Sequence, residues 1–175
     1  PYYNKPTQAG LLAHYKVIDQ HSPKPIILYN VPGRTGVNMT AETTITLANE
    51  CNNIIGIKEA SGNMVQCMEL AKNKPADFIL LSGDDNLAMA QIACGFEGVI
   101  SVAANCFTSL FCEMINASLA YDFQKAQQLL YKLLPGIDLL FVEGNPAGAK
   151  CVLSELGLMQ NIMRLPVVPV SNATH

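Results

Sequence analysis

Ile54-Ile55-Gly56-Ile57-Lys58-Glu59-Ala60-Ser61-Gly62 opens with a short run of β-branched residues that leads into a lysine. With Asn52-Asn53 before it and Gly62 after it, the run predicts a buried strand. Apolar surroundings disfavour an ammonium ion, and a neutral amine attacks a carbonyl to form a Schiff base. Lys58 is therefore a candidate nucleophile. The alternative is a lysine that snorkels to the surface at a strand end.

The same pattern recurs on both sides of this run. Ile26-Ile27-Leu28-Tyr29, Phe78-Ile79-Leu80-Leu81-Ser82 and Gly98-Val99-Ile100-Ser101-Val102 also read as strands. Ile26, Ile54, Ile79 and Val99 are separated by 28, 25 and 20 residues, with a helical pattern in each interval. The helices are expected from Thr7 to Gln20, Thr40 to about Cys51, Gly62 to Lys72, and Gly83-Asp84-Asp85 to Cys94. Alternation at this period predicts parallel βαβ units, hence an α/β fold. Three more helices are expected over 107–120, 123–134 and 147–156, with an irregular tail from Arg164. Asn30-Val31-Pro32-Gly33-Arg34-Thr35-Gly36 reads as a loop.

A (β/α)8 barrel has eight strands and about 250 residues, whereas four strands are visible here. The pattern fits an open sheet or the second half of a barrel followed by C-terminal helices. Residues 1–106 are expected to form the barrel units and 107–175 the helical region. The chain opens inside an apparent motif, Pro1-Tyr2-Tyr3-Asn4-Lys5-Pro6, so further residues are expected upstream.

Composition narrows the function. Half the residues are hydrophobic, enough for one sizeable core. Only 14% are charged, the net charge is -3, and no basic cluster suggests nucleic acid. No Lys/Arg run marks a membrane surface, and no apolar run is long enough to span a bilayer. The six cysteines contain no C-x-x-C pair and the histidines no zinc-type spacing, so no metal is expected and the cysteines read as reduced packing residues of a cytoplasmic protein.

Tyr29, Arg34, Lys58, Asp84 and Asn105 all fall at or just beyond a strand's carboxyl end, where α/β folds place their sites. Tyr29 and Lys58 end successive strands, so their side chains are able to converge. A phenol serves as a proton carrier when its surroundings tune it, or else packs as an amphipathic core residue. Arg34, in a glycine-flanked loop, offers a fork for a carboxylate, or a solvated loop charge. Glu59, Asp84 and Asp85 read as caps and ion-pair partners. His14, His21 and His175 are isolated.

Four segments together resemble the dihydrodipicolinate synthase (4-hydroxy-tetrahydrodipicolinate synthase) family: Tyr29-Asn30-Val31-Pro32-Gly33-Arg34-Thr35-Gly36, Gly56-Ile57-Lys58-Glu59-Ala60-Ser61-Gly62, Leu81-Ser82-Gly83-Asp84-Asp85 and Gly98-Val99-Ile100-Ser101. The resemblance runs from Pro1 to about Pro169. It implies a (β/α)8 barrel with added C-terminal helices, assembled as a tetramer of two tight dimers, that condenses pyruvate with aspartate semialdehyde on the diaminopimelate route to lysine.

On this resemblance Lys58 forms the Schiff base with pyruvate and Tyr29 relays protons. Arg34 holds the semialdehyde's carboxylate, and Ile100 lines the pyruvate site through its backbone. Tyr3 reaches across the tight-dimer interface into the neighbour's site. No metal or separate cofactor is implied, because the iminium is itself the electron sink. The family's threonine pair and glycine-rich segment belong to the first half of the barrel and are absent from this sequence, so these residues alone are expected to be inactive. Gly33 and Gly144 stand where the family pattern has a serine and a proline.

Two other readings compete. One is a sibling aldolase, such as N-acetylneuraminate lyase or a keto-deoxy-sugar-acid aldolase. The other is a non-catalytic α/β binding protein in which Lys58 only forms an ion pair.

Overall fold

A computed structural model describes all 175 residues, Pro1–His175. They form two units, Pro1–Ile100 and Ser101–His175.

The first unit holds a four-stranded, all-parallel sheet of β1 (Ile26–Asn30), β2 (Ile54–Glu59), β3 (Ile79–Ser82) and β4 (Gly98–Val99), in that spatial order. Around it are α1 (Gln8–His21), α2 (Pro32–Thr35), α3 (Ala41–Glu50), α4 (Met64–Asn73) and α5 (Ala88–Ala93). Helix starts follow the sequence chemistry. The Thr7 and Thr40 hydroxyls accept the backbone N–H groups of Gly10 and Thr43, each at 3.2 Å. Asn63 accepts those of Val65 and Gln66 at 3.0 and 3.2 Å. These caps satisfy donors that the first helical turn leaves orphaned.

The sheet has two unlike faces. Leu28, Ile57 and Leu80 are register partners on one face, each at most 1% exposed. Leu47, Cys67, Leu70 and Ile92 of α3, α4 and α5 are buried as well, and α3 and α5 pack against the strands. Burying one such aliphatic side chain contributes about 1.5–3 kcal/mol, so this face carries the unit's core. The opposite face displays Ile27, Tyr29, Lys58, Ile79 and Leu81. Ile27 and Tyr29 are 44% and 45% exposed. A parallel sheet is ordinarily covered on both faces; within the first unit this second face is left open.

Several element limits differ from those expected. The stretch after Asn30 was expected to be all loop, but it contains the single helical turn α2. Pro32 supplies a preset φ at its start, and Gly36 closes it in the left-handed region at φ 72°. β4 ends at Val99 rather than Val102, because the Ser101 hydroxyl accepts the N–H of Ala104 at 2.8 Å and turns the backbone toward a helix. α5 begins at Ala88, after a turn in which the Leu87 N–H donates to the Asp84 carbonyl.

The second unit is helical: α6 (Ala103–Cys106), α7 (Thr108–Leu119), α8 (Phe123–Phe141) and α9 (Ala147–Glu155). α8 was expected to stop at Leu134 but continues through Pro135. A proline inside a helix costs about 3 kcal/mol. Ile137 and Leu140 lie beyond it and are buried, which offsets that cost. Gly148 brings α9 against α8 at backbone distance: a Cβ there would lie 2.5 Å from the Leu140 carbonyl oxygen. Gly144 has φ 92°, a conformation closed to the proline of the family pattern. Beyond Glu155 the chain forms no further helix or strand. The Glu143 carboxylate fastens this tail, accepting the Ser171 N–H at 2.9 Å and the Ser171 hydroxyl at 2.6 Å, together with the Thr174 hydroxyl.

No helix is long and apolar enough to cross a membrane.

Candidate functional site

Tyr29 and Lys58 are register partners near the carboxyl ends of β1 and β2, so both project from the open face. Lys58 Nζ lies 4.3 Å from the centroid of the Tyr29 ring. This contact is worth about 0.5–1 kcal/mol at an exposed site. It holds the amine beside a phenol. The chain's ion pairs join Lys16 to Glu50, Lys74 to Glu97, Lys125 to Glu113 and His175 to Glu155. Lys58 takes part in none of them. It is half-buried.

Arg34 lies within α2 and is exposed, and it forms no ion pair. Its loop lies beside β1: a cleft lined in part by Pro1, Tyr15, Tyr29, Thr35 and Val37 opens there. Ile100 follows β4, is 44% exposed, and donates its N–H to the Ser82 carbonyl at 2.9 Å. Tyr3 is 82% exposed, with φ 70°, a left-handed conformation unusual for a tyrosine. Thus Tyr29 and Lys58 touch, Arg34 follows β1 at one edge of the sheet, Ile100 follows β4 at the other, and Tyr3 projects into solvent.

Two carboxylates do more than the sequence reading assigned them. Asp84 was read as a cap or ion-pair partner, yet Leu87 is the residue at the α5 N-cap. Burial pushes the Asp84 carboxyl above its ordinary value, a hydrogen bond from the Gly62 N–H opposes this, and the charges of Glu59 and Asp85 add to the rise. The Lys58 ammonium pulls it down again, so Asp84 and Lys58 are electrostatic neighbours. One Asp84 oxygen, Oδ2, is buried and meets no hydrogen-bond donor.

Glu59 is fully buried and forms neither a cap nor an ion pair. Its carboxylate accepts Asn30 Nδ2 on both oxygens at 3.2 and 3.0 Å, Gln66 Nε2 at 3.1 Å and the Ser61 N–H at 2.7 Å. Every partner is a donor, which suits an acceptor-only carboxylate. Strand alternation was the signal for this role. With Lys58 on the open face, Glu59 must point to the covered one.

The profile of the Dihydrodipicolinate synthetase family matches residues 1–175. The 4-hydroxy-tetrahydrodipicolinate synthase of Phocaeicola vulgatus is 51% identical over 174 residues, which is 99% of this chain and 59% of that protein. The crystal structure of dihydrodipicolinate synthase from Aquifex aeolicus superposes with a TM-score of 0.96 at 41% identity, covering 99% of this chain and 59% of that one. The chloride-inhibited enzyme from Acinetobacter baumannii, solved in complex with pyruvate, gives 0.95 at 41% identity, covering 99% and 60%. The chain thus spans about 59% of the length of the curated relatives it matches. With its open parallel sheet matching part of each longer protein, the chain belongs to the dihydrodipicolinate synthetase family and carries a partial (β/α)8 barrel.

Proposed function

We propose that the protein containing this chain is a Schiff-base synthase that condenses pyruvate with aspartate semialdehyde in lysine biosynthesis. The observation that carries this reading is an amine, free of any ion pair, held 4.3 Å from a tyrosine ring at adjoining strand ends. Membership of the family and the pyruvate complex of the Acinetobacter baumannii relative support it.

The Lys58 amine attacks the ketone carbon of pyruvate, and the carbinolamine loses water to leave a protonated imine. That imine withdraws electrons, so the methyl group loses a proton and becomes an enamine. The enamine carbon attacks the aldehyde, whose oxygen takes up a proton. The substrate's own amine then adds to the imine carbon, closes the ring and expels Lys58. Tyr29 carries protons in these steps. Arg34 grips the semialdehyde's carboxylate, and the Ile100 backbone borders the pyruvate site. Tyr3, exposed on a left-handed backbone, enters a neighbouring subunit's site in a dimer-of-dimers tetramer. The biosynthetic role of its relatives supports a cytoplasmic setting.

Borohydride reduction of the intact protein with pyruvate tests this reading. A stable mass adduct on Lys58 that disappears in Lys58→Ala is expected; an unmodified Lys58 in active protein refutes it. Turnover of aspartate semialdehyde but not of sialic acid separates the synthase from a sialic-acid lyase.

A further inference from the structure

Neither Tyr29 nor Lys58 is held by a hydrogen bond or ion pair of its own, so the backbone of the two strand ends fixes their spacing. That backbone is clamped from the other side of the sheet. Asn30 and Glu59, the residues immediately after Tyr29 and Lys58, are register partners on the covered face. Asn30 Nδ2 donates to both Glu59 oxygens, and Asn30 Oδ1 accepts the Met39 N–H at 3.0 Å. Ala60 N–H donates to the Asn30 carbonyl at 2.9 Å, and Gly83 N–H to the Glu59 carbonyl at 2.7 Å. Gln66 Nε2 bridges Glu59 to the Met39 carbonyl, each at 3.1 Å, while Asn38 Nδ2 donates to Gln66 Oε1 at 2.8 Å. Met39 and Asn38 lie on the segment that follows Arg34. One buried carboxylate therefore ties together β1, β2, the segment after α2 and the start of α4.

We propose that Glu59 is a positioning residue: through Asn30, Gln66 and the Ser61 N–H it sets the approach of Tyr29 to Lys58 and anchors the Arg34 segment to the same strand ends. This rests on the reading of Lys58 as the Schiff-base amine. Glu59 touches no substrate. Both its oxygens accept from Asn30, so a Glu59→Gln amide places a donor against a donor in either orientation, and the strand ends must shift.

The test uses the intact protein. Glu59→Gln is expected to lower kcat on the order of 10–100-fold, as a misplaced reacting group does. The rate of borohydride trapping with pyruvate falls in parallel, while KM for pyruvate stays within about threefold of wild type. A folded Glu59→Gln protein with wild-type kcat and trapping overturns the proposal. Asn38→Ala removes the donor to Gln66 Oε1 and the Oδ1 that accepts Asn30 Nδ2 at 2.8 Å, and decides the matter if Glu59→Gln fails to fold. It is expected to raise KM for the semialdehyde by about fivefold and to slow trapping less than Glu59→Gln does, and wild-type values of both overturn the proposal. A wild-type protein that traps no pyruvate overturns the Schiff-base reading, and this proposal with it. Trapping in wild type that neither variant affects overturns this proposal alone.

Discussion

Gly83 sits where β3 leaves the sheet beside the end of β2, and its lack of a side chain is a packing requirement. A Cβ at this position would lie 2.5 Å from Ala60 Cβ, 3.0 Å from the Glu59 carbonyl oxygen and 3.2 Å from Ala60 Cα. All three are backbone or backbone-anchored atoms, so no flexible side chain can move aside. Gly83→Ala must push the two strand ends apart and lengthen the 2.7 Å hydrogen bond from the Gly83 N–H to the Glu59 carbonyl. Overpacking of this kind costs about 1–3 kcal/mol, and a lost backbone hydrogen bond adds about 1 kcal/mol. The expected destabilisation is therefore about 2–4 kcal/mol. Because the chain has two units, the loss is best read from native-state hydrogen exchange of the Leu80 and Gly83 amides, which reports the first unit by itself. Two companions calibrate it. Gly33→Ala meets nothing within 4 Å and should stay within about 0.5 kcal/mol of wild type. Ala60→Gly combined with Gly83→Ala removes the worst contact and should show a coupling of at least about 1 kcal/mol. A Gly83→Ala protein within about 0.5 kcal/mol of wild type, or a cycle with no coupling, would refute the packing argument.

Three further outcomes follow from the titrating groups. Asp84 has a folded value raised by burial, so its ionisation weakens the fold at neutral pH and the penalty vanishes below the ordinary aspartate range of about 3.9. Asp84→Asn should accordingly unfold at higher denaturant than wild type at pH 7, with the gap closing below about pH 4, and a gap that widens on acidification contradicts this. Glu143 is held below the ordinary carboxylate range, first by the Ser171 hydroxyl, then by the Thr174 hydroxyl and the Ser171 N–H. The contribution of Glu143 is present above about pH 4.3 and lost as pH falls through the depressed value, so Glu143→Gln should speed hydrogen exchange of the Ser171 amide at pH 7. Equal exchange rates would show that these bonds do not hold the segment. Burial pushes the Cys67 thiol up to about 11. A disulfide reagent at pH 8 should label exposed Cys112 in the folded protein and reach Cys67 only on unfolding, and early labelling of Cys67 would contradict the packing around it.

The four strands were legible because Ile26, Ile54, Ile79 and Val99 each head a short apolar run closed by turn residues. The Tyr29–Lys58 meeting was legible too, since parallel strands of similar length bring their ends together. What the sequence hid was decided by tertiary partners. Pro135 signals a helix end, yet the burial of Ile137 and Leu140 beyond it carries α8 onward. Pro32 and Gly33 signal a loop, yet the same residues permit one helical turn. Glu59 read as a cap or ion-pair partner, but its sequence neighbour Lys58 points to the other face of the strand. Its partners are the neutral amides Asn30 and Gln66 and the Ser61 N–H, two of them many residues away or on another element.

Alternation along β1 and β2 hands two separate tasks to adjacent residues. Tyr29 and Lys58 share a row with Leu81 on one face, while Asn30, Glu59 and Ser82 form the next row on the other. A redesign of the amine and phenol surroundings therefore belongs on the row of Leu81, and a redesign of the fastening behind them on the row of Ser82. Chemistry and scaffold can be varied one residue apart along the same strand.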